Sequence, residues 1–290
     1  MSHTTDTPDT TNQTAQDCTH DCSSCGASCA SRGPESLLAP LNEFSRIKKV
    51  FAVMSGKGGV GKSSVTASLA AAMQQKGYRV GVLDGDITGP SIPQAFGITG
   101  RAEGSERGLL PEYSRGGIAV MSLNLLLEHT TDPVIWRGSI LGSAVKQFWT
   151  DVIWGDLDYL FIDMPPGTGD VPLTVLQTLP IDGILIVTSP QDLVSMIVGK
   201  AVKMANMMQK PIMGLVENYS FFTCPDCGGT HHIYGKSQLE TVAAEMGLPV
   251  LAQIPIDPAV AAAVDAGAIE ELEPNYLLPV AEILADATGL

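Results

Sequence analysis

GKGGVGKS, the stretch at residues 56–63, fits the pattern G-x-x-x-x-G-K-[ST] and has the neighbours that this pattern requires. The apolar residues 50–54 precede it and predict a buried strand. Residues 64–76 follow it with apolar side chains at helical spacing, and Gly77 predicts the end of that helix. A strand, a glycine-rich loop and a helix in this order present backbone N–H groups to phosphate. The stretch therefore predicts a phosphate-binding loop in an α/β fold, and the alternative is a glycine-rich turn without a ligand.

The loop offers a nucleotide both side-chain and backbone contacts. We expect the ammonium of Lys62 to reach the β- and γ-phosphates and the hydroxyl of Ser63 to bind Mg²⁺. The residues predicted to hold the nucleotide here are Gly56, Lys57, Gly58, Gly59, Val60, Gly61, Lys62, Ser63 and Ser64. ATP and Mg²⁺ are the cofactors that this part of the chain predicts.

Lys57 is a second lysine at the front of the same loop, although the motif needs only one. It is poorly placed to fold back on the nucleotide of its own chain. One interpretation is that Lys57 acts on a nucleotide across a dimer interface, as an arginine finger does in trans. The other interpretation is a solvated lysine.

Three aspartates follow predicted strands. Asp84 and Asp86 come after the strand predicted at residues 79–83, and Asp163 closes the apolar run 157–162. Ligands of open α/β sheets bind at the carboxyl ends of the strands. We expect Asp86 to orient the attacking water or assist Mg²⁺, and Asp163 to act on Mg²⁺ as a Walker-B carboxylate. A turn or cap role is the alternative for Asp86, and a role in local structure is equally open for Asp84.

The stretch PPGTGD at residues 165–170 places two glycines beside the expected γ-phosphate, where a mobile backbone suits a nucleotide-dependent switch. We expect Asp170 to cap the helix that follows. Residues 100–117 are rich in glycine and charge and are expected to be a loop. Asn218 comes after the strand predicted at residues 212–216, so its amide could contact adenine or could belong to a turn.

Composition limits the size, partners and compartment of the protein. The 290 residues are 44% hydrophobic, which suffices for one large α/β domain or two small ones. The net charge of −14 argues against non-specific nucleic-acid binding, which depends on Lys and Arg. No apolar run approaches the ~20 residues of a membrane span, and the Thr- and Asp-rich N-terminus does not fit a signal peptide. We therefore expect a cytoplasmic protein that binds neither nucleic acid nor membrane.

Residues 1–36 contain no Val, Ile, Leu, Phe, Tyr or Trp, so we expect a flexible Cys-rich tail beside a folded domain at residues 37–290. The spacing of its cysteines is C-x3-C-x2-C-x3-C. Four thiolates this close together can bind one [4Fe–4S] cluster or one Zn²⁺. The spacing favours iron–sulfur, and the alternatives are zinc or an unliganded or redox-active tail. The cysteines concerned are Cys18, Cys22, Cys25 and Cys29.

Cys224 and Cys227 form a separate C-x2-C pair in a loop that we expect to be hairpin-like. Clustered cysteines in a cytosolic chain indicate metal rather than disulfides. Two thiolates do not complete a tetrahedral site. Either His231 and His232 complete a local zinc site, or a second copy brings two more thiolates across a two-fold axis. Because Lys57 also suggests a dimer, we favour a [4Fe–4S] cluster that bridges two chains.

The chain resembles the Mrp/nucleotide-binding-protein family of cytosolic iron–sulfur carrier ATPases from about Val50 to its C-terminus. The resemblance rests on GKGGVGKSSV, DGDITGPSIP, WRGSILGSAVKQFW, LDYLFIDMPPGTGD and VENYSFFTCPDCGG. That family belongs to the deviant Walker-A group, with MinD, ParA and the nitrogenase iron protein. The four-cysteine tail resembles the cluster-binding N-terminus of eukaryotic members, with shorter outer gaps.

The resemblance implies an ATP-dependent homodimer that holds a labile [4Fe–4S] cluster between paired CxxC motifs and transfers it to apoproteins. It implies that Lys57 is the signature lysine, that Asp86 belongs to switch I, and that residues 163–170 form Walker B and switch II. It also implies that Asn218, together with the loop containing Pro255 and Asp257, holds the base. The expected fold is a three-layer P-loop NTPase with a mostly parallel central sheet flanked by helices.

Other functions of the same fold fit the sequence less well. A chromosome-partitioning ATPase does not need six clustered cysteines. A MinD-like regulator should end in a basic amphipathic helix, yet residues 275–290 contain no Lys or Arg. A nitrogenase-type reductase would place cysteines after the second switch. The alternative that we retain is a zinc-bridged nucleotide-binding dimer of the ParA/MinD type, acting as a partitioning or regulatory module.

Overall fold

The computed structural model describes residues 37–86, 89, 91–127, 138–190 and 194–290. Leu37–Leu290 forms one compact unit. The predicted tail and its four cysteines lie outside the described residues, so the expectations about them remain predictions.

A mostly parallel eight-stranded sheet forms the centre of this unit, in the order β12-β9-β8-β1-β7-β2-β6-β5. Every neighbouring pair in it is parallel except β5 and β6. The strands are β1 (Arg46–Ser55), β2 (Val80–Asp84), β3 (Gly104–Ser105), β4 (Gly108–Leu109), β5 (Glu112–Tyr113), β6 (Ala119–Met121), β7 (Asp156–Asp163), β8 (Gly183–Thr188), β9 (Ile212–Glu217), β10 (Phe222–Thr223), β11 (Thr230–His231) and β12 (Val250–Gln253). The two small pairs, β3 with β4 and β10 with β11, are antiparallel hairpins outside the main sheet.

Helices cover both faces of the sheet, as expected for a three-layer fold. They are α1 (Lys62–Gln75), α2 (Ile92–Ala95), α3 (Gly138–Thr150), α4 (Asp170–Thr178), α5 (Val194–Met207), α6 (Leu239–Met246), α7 (Pro258–Asp265) and α8 (Leu278–Thr288), with 3-10 turns at Leu123–Leu125 and Ile269–Glu271. Among the helices of the described ranges, none has both the length and the apolar character needed to cross a bilayer.

The two hydrophobic cores explain why the central strands are continuous apolar runs. In β1, Val50 and Ala52 face one core, whereas Phe51 and Val53 face the other. Successive side chains of a strand point to opposite faces, so a strand covered on both sides must be apolar throughout. Helices α3 to α6 supply the first core, and α1, α2 and α8 supply the second. The prediction of a mostly parallel, doubly covered sheet is confirmed.

The first strand is longer than the apolar run predicts. β1 begins at Arg46, four residues before the apolar run that predicts it, and pairs with β7 from its first residue. Its first four residues alternate between exposed and half-buried positions, so they do not form an apolar run. The ammonium of Lys48 lies 2.8 Å from the carboxylate of Asp158 on β7 and supports the ladder there.

The expectation of a loop at residues 100–117 is wrong in part, because this segment contains β3, β4 and β5. β5 extends the main sheet by pairing with β6. Backbone hydrogen bonds of 2.8 Å also tie Leu109 to Asp151 and Ile153. Strands of two residues are too short to show an alternating pattern, so the sequence did not indicate them. The predicted cap is also displaced: α4 begins at Asp170 itself, and Gly169 is the N-cap.

A contact between two glycines joins the turn after α2 to the turn after α7. A Cβ built on Gly97 would lie 2.7 Å from the carbonyl oxygen of Gly267. Gly97 has a φ of +65°, and Gly247, at the end of α6, has a φ of +64° with no described atom within 4 Å of its Cβ position. The two glycines therefore share a left-handed backbone conformation, which only a side chain would strain, and they differ in their surroundings.

We predict that Gly97→Ala destabilises the protein more than Gly247→Ala. The left-handed backbone should cost each variant about 1–2 kcal/mol. The contact with Gly267 should cost Gly97→Ala about 1–3 kcal/mol more, because the backbones must move apart. Urea unfolding of both variants measures the difference, and equal losses would contradict the predicted close contact.

Candidate functional site

The carboxyl ends of the parallel strands bring the predicted nucleotide residues to one edge of the sheet. The loop after β1 leads into α1, β2 ends at Asp84, and β7 ends at Asp163. Asp84 and Asp163 are partners in the ladder between β2 and β7, and Asp163 is also the partner of Val53 on β1. This edge is where open α/β sheets bind ligands.

The glycines of the loop allow close packing of its backbone. Gly61 is the N-cap of α1 and has a φ of +75°. A Cβ at Gly61 would collide with the amide nitrogen of Asn218, and a Cβ at Gly56 would collide with Ile197 of α5. Gly58 and Gly59 are at the tip, and Gly59 is exposed there. The loop thus turns tightly into α1 and presents its tip to solvent, as a phosphate cradle requires.

Lys62, Ser63 and Asp163 meet in a buried polar cluster. The ammonium of Lys62 lies 2.7 Å from Oδ1 of Asp163 and 3.7 Å from Oδ2 of Asp86. Ser63 Oγ donates to Oδ2 of Asp163 at 2.6 Å. Thr66 Oγ1 lies 2.9 Å from Oδ1 of the same carboxylate. The structure thus brings together the predicted phosphate lysine, the predicted Mg²⁺ hydroxyl and both predicted catalytic carboxylates.

The oxygen atoms of this cluster suit Mg²⁺, which prefers hard oxygen ligands and keeps several waters. Ser63 Oγ and the carboxylate of Asp163 are adjacent, and the Lys62 ammonium also lies near Asp86. These residues fit the cofactor that the sequence predicts.

Asp84 lies beneath the cluster and is 1% exposed. Its Oδ1 accepts a hydrogen bond from the backbone N–H of Asp86 at 3.2 Å, and Ser122 Oγ donates to its Oδ2 at 3.1 Å. Burial, followed by the neighbouring charge of Asp163, raises the pKa of Asp84 to about 8 against the opposing influence of Lys62 and Ser122. Asp84 therefore shapes the turn that carries Asp86, which accords with a role in local structure.

A cavity of about 180 Å³ lies beside the start of α1 and brings the three predicted base-binding residues together. It is lined by Ser64, Asn218, Tyr219, Pro255, Asp257, Val260, Ala261, Val264 and Asp265. Because Ser64 directly follows the phosphate loop, in the first turn of α1, the cavity lies next to the predicted phosphate position.

Asn218 and Asp257 also stabilise the walls of this cavity. The Asn218 amide donates to the carbonyl oxygen of Val60 at 3.0 Å, so it ties the end of β9 to the phosphate loop. Asp257 Oδ1 accepts from the backbone N–H of Ala259 and caps α7, while its Oδ2 accepts from Tyr276 Oη at 2.8 Å. Burial, with Asp257 adding to it, raises the pKa of Tyr276.

The other conspicuous loop residues lie around the tip. Lys57 is half-buried, and its carbonyl oxygen accepts a hydrogen bond from Ser55 Oγ at 2.9 Å. The 165–170 segment runs alongside the loop, because the N–H of Gly167 donates to the carbonyl oxygen of Ser55 at 2.9 Å. Gly167 has a φ of +88°, so this segment requires glycine there.

Cys224 and Cys227 lie at the end of the β10–β11 hairpin, which confirms the hairpin-like loop. The N–H of Cys224 donates to the carbonyl oxygen of Gly229, and the N–H of Gly228 donates to that of Cys224, both at 2.9 Å. Backbone N–H groups of Cys227 and then Asp226, followed by the Cys227 thiol, lower the pKa of Cys224 by hydrogen bonding to its sulfur. The turn therefore favours a thiolate at the surface.

His231 and His232 are exposed near the two thiols. In the part of the chain that the structure describes, no three His, Cys, Asp or Glu side chains are placed to share a metal ion. Within the described residues the hairpin thus offers two thiols, and the alternative of a local zinc site completed by both histidines is not formed.

Several residues of the site were not predicted from the sequence. Thr66 follows Ser63 by one helical turn, so helical spacing alone could have placed it on the same face of α1 as Ser63. The roles of Tyr276 and Glu217 follow only from their tertiary contacts in the folded chain. Glu217 is completely buried at the end of β9 and accepts hydrogen bonds from Ser220 and Ser237.

A strand, a glycine loop and a cluster of buried Lys62, half-buried Ser63 and buried Asp163 on a parallel sheet define a P-loop nucleoside triphosphatase. A family model, ParA, described as NUBPL iron-transfer P-loop NTPase, matches residues 46–285. The chain belongs to this family.

Curated relatives with substantial identity carry related names. An iron-sulfur cluster carrier protein of Methanococcus maripaludis is 44% identical over 250 residues, covering 84% of this chain and 86% of the relative. One from Clostridium perfringens is 46% identical over 236 residues, covering 79% and 83%. The iron-sulfur cluster transfer protein NUBPL of Mus musculus is 42% identical over 223 residues, covering 76% and 70%.

Solved structures share the fold. The nucleotide-binding protein of Archaeoglobus fulgidus, in complex with ADP and with cobalt found in it, is 42% identical with a TM-score of 0.72, covering 80% of this chain and 91% of that protein. The cell division ATPase MinD of Pyrococcus furiosus is 21% identical with a TM-score of 0.62, covering 83% and 99%. The second likeness concerns the fold alone.

We predict that Asp84→Asn flattens the dependence of stability on pH. With a pKa of about 8 in the folded protein and 3.8 ordinarily, Asp84 keeps its proton on folding over this interval. The folded state then binds more protons, so the free energy of unfolding falls as pH rises from about 4 to about 8. The amide of the variant cannot ionise and should remove this slope in urea unfolding of the nucleotide-free protein.

Asp158→Asn is the matched control. Burial acts to raise the pKa of Asp158, but hydrogen bonds from Lys48 and Arg79 outweigh it and hold that pKa well below its ordinary value. Its contribution to stability is therefore lost in acid, below about pH 4. A slope between pH 4 and pH 8 that is equal in wild type and Asp84→Asn would contradict the shifted pKa.

Proposed function

We propose that this protein is an ATP-dependent iron–sulfur cluster carrier, which binds a labile [4Fe–4S] cluster and transfers it to apoproteins. The observation that carries the proposal is the presence, in one compact unit, of a P-loop site and a pair of thiols at the surface, half-buried Cys224 and exposed Cys227, in a turn that lowers the pKa of Cys224. The names of the curated relatives, and the family description as an iron-transfer NTPase, support it.

ATP is the substrate of the P-loop site. Lys62 binds the β- and γ-phosphates, Ser63 and Asp163 hold Mg²⁺, and Asp86 orients the water. Asn218, Pro255 and Asp257 hold the base in the cavity next to Ser64. Mg²⁺ supplies charge neutralisation when it is bound. Lys62 is now paired with Asp163 at 2.7 Å, so phosphate binding exchanges one anionic partner of Lys62 for another.

The cluster is the cargo, and its ligands are Cys224 and Cys227 of two copies of the chain. A [4Fe–4S] cluster takes four thiolates, and one hairpin supplies two. A two-fold axis at the hairpin supplies the other two, which makes the carrier a homodimer. Lys57 reaches the partner's nucleotide and links hydrolysis to pairing. The tail cysteines form a second site, and hydrolysis is slow and coupled to cluster binding or transfer.

A zinc-bridged dimer with a regulatory role is the second candidate. It is favoured by the hairpin turn, since thiolates that accept backbone N–H bonds serve structural zinc equally well. Iron, sulfide and zinc analysis of protein purified without oxygen separates the two candidates. We further propose a cytoplasmic location and partners that are apo iron–sulfur proteins rather than nucleic acid or membrane, in keeping with the net charge of −14.

We predict that the double substitution Cys224→Ala/Cys227→Ala removes the cluster-bridging site. Anaerobic reconstitution of the wild type with iron and sulfide should give a broad absorbance. In the variant this absorbance should fall by at least about a third, because two chains then keep two tail clusters and lose the shared one. The matched control replaces Cys18, Cys22, Cys25 and Cys29 by Ala and should keep the bridging cluster and the dimer. Full absorbance in the first variant would place all iron in the tail.

We predict that Lys57→Ala abolishes hydrolysis while ATP binding remains measurable. A residue that stabilises transition-state charge in trans contributes about 10³-fold or more to turnover, whereas binding depends on the rest of the loop. Lys76→Ala is the control, because Lys76 lies at the end of α1 and pairs with Glu282 at 3.4 Å on the surface. Unchanged turnover in Lys57→Ala would eliminate catalysis in trans.

A further inference from the structure

The cysteine-bearing segment leaves the sheet after β9 and returns at α6. Its internal pairing is small, because β10 and β11 share two residue pairs, Phe222 with His231 and Thr223 with Thr230. A two-stranded hairpin is marginally stable at best on its own. Contacts at the two ends of the segment must therefore fix where the thiols lie.

Glu217 contacts both of these ends. Ser220 Oγ, where the segment departs, donates to Oε2 of Glu217 at 2.6 Å. Ser237 Oγ, where the segment returns, donates to Oε1 at 2.9 Å. Gln253 Nε2 on β12 donates to Oε2 at 3.3 Å and to Ser237 Oγ at 3.2 Å. One carboxylate thus joins the two ends to each other and to the neighbouring strand.

The side-chain hydroxyl of Ser237 uses its donor and both of its acceptor positions in this network. Its oxygen accepts from the backbone N–H of Leu239 at 3.1 Å and from Gln253, while its hydroxyl hydrogen goes to Glu217. The start of α6 is therefore fixed by the same hydroxyl that fixes the end of the cysteine segment. A network with its donors and acceptors satisfied is rigid.

The departing end is also bonded to the wall of the base cavity. The N–H of Ser220 donates to the carbonyl oxygen of Ile254 at 2.8 Å, and the N–H of Ile256 donates to that of Phe221 at 2.6 Å. These two bonds lie on either side of Pro255, which lines the cavity. The next residue after Glu217 is Asn218, which contacts the phosphate loop at Val60.

A carboxylate that only filled space at this buried strand end would be less stable there than an apolar side chain, because it loses its hydration. The side chain of Glu217 is completely buried, and its three donors are hydroxyl and amide groups, so the desolvation of a carboxylate is offset by neutral partners. An apolar residue would fill the same space at lower cost but could not hold two separate segments in register. The geometry therefore indicates positioning.

We propose that Glu217 is a positioning residue for the cysteine pair: it clamps Ser220 and Ser237 and thereby sets where Cys224 and Cys227 lie. The proposal rests on the proposed function, in which these thiols hold the cargo. Glu217 touches neither thiol and acts through the two ends of the segment.

The test uses the full chain with Cys18, Cys22, Cys25 and Cys29 replaced by Ser, so that thiolate signals come from the hairpin. Co²⁺ titration, followed by thiolate-to-metal charge-transfer absorbance, reports metal affinity. Hydrogen exchange of the Cys224 and Gly228 amides, relative to the amides of β8, reports hairpin order without any metal. Glu217→Ala should speed this exchange and weaken Co²⁺ binding by about tenfold or more.

Three further variants separate positioning from general destabilisation. Glu217→Gln can keep its oxygen towards Ser237 and donate its amide to Ser220 Oγ, and it loses the bond from Gln253 Nε2, so both readouts should fall between wild type and Glu217→Ala. Ser237→Ala in the Glu217→Ala background should add little, because the link is already broken. Asp158→Ala removes a buried carboxylate at the start of β7 and should leave both readouts at their wild-type values.

The outcomes are distinct. Unchanged exchange and unchanged Co²⁺ affinity in Glu217→Ala would overturn the proposal, as would equal effects from Asp158→Ala. If the background protein does not bind Co²⁺ at all, the thiol site of the proposed function fails, and hydrogen exchange alone decides the role of Glu217. If Glu217→Ala does not fold, Ser220→Ala and Ser237→Ala give the same measurements, and wild-type exchange in both would overturn the proposal.

Discussion

The buried contact between Lys62 and Asp163 is the constraint on which the nucleotide edge depends. Their charged atoms lie 2.7 Å apart with 5% and 0% of the side chains exposed. A buried ion pair is tolerated only when additional hydrogen bonds satisfy it, and here Ser63 and Thr66 supply them. All three of these partners of Asp163 come from the first turns of α1. The cluster therefore fixes that helix against β7 and sets the curvature of the loop between β1 and α1.

Sequence patterns predicted those parts of the fold that depend on the residues of one short segment alone. Central strands covered on both faces must be apolar, so β1, β7 and β8 could be located, and the polar residues at their ends could be placed at one edge. The charged beginning of β1 was not predicted, because its partner strand β7 begins at Asp156, 110 residues further along the chain. Thr66 and Asp163 are 97 residues apart, and Tyr276 and Asp257 act through each other. A pattern within a short segment of sequence does not identify partners that meet only in the folded protein.

The hydrogen bonds that shape the Cys224–Cys227 turn are separate from the contacts that fix its position in the fold. Backbone N–H groups of residues 226 and 227 bond the sulfur of Cys224, so thiolate character arises inside the turn. The location of that turn depends on contacts outside it, at Ser220 and Ser237. Two paired residues in each hairpin strand allow the turn to keep its shape while its position changes. The shape of the turn and its location in the fold are therefore set by different residues.

These facts restrict how ATP could influence the cargo. A nucleotide shifts an equilibrium only through contacts that differ between two states. The described backbone offers two connections from the base cavity to the cysteine segment: Asn218, which contacts Val60 and leads through Tyr219 to Ser220, and the pair of bonds around Pro255. Both meet the segment at its departing end, which is bonded to Glu217 through Ser220, whereas its returning end is bonded to Glu217 and β12 through Ser237. A movement that begins at the cavity would therefore displace the departing end of the hairpin relative to the Ser237 end. The hydrogen bonds from Ser220 and Ser237 to Glu217 would oppose this displacement.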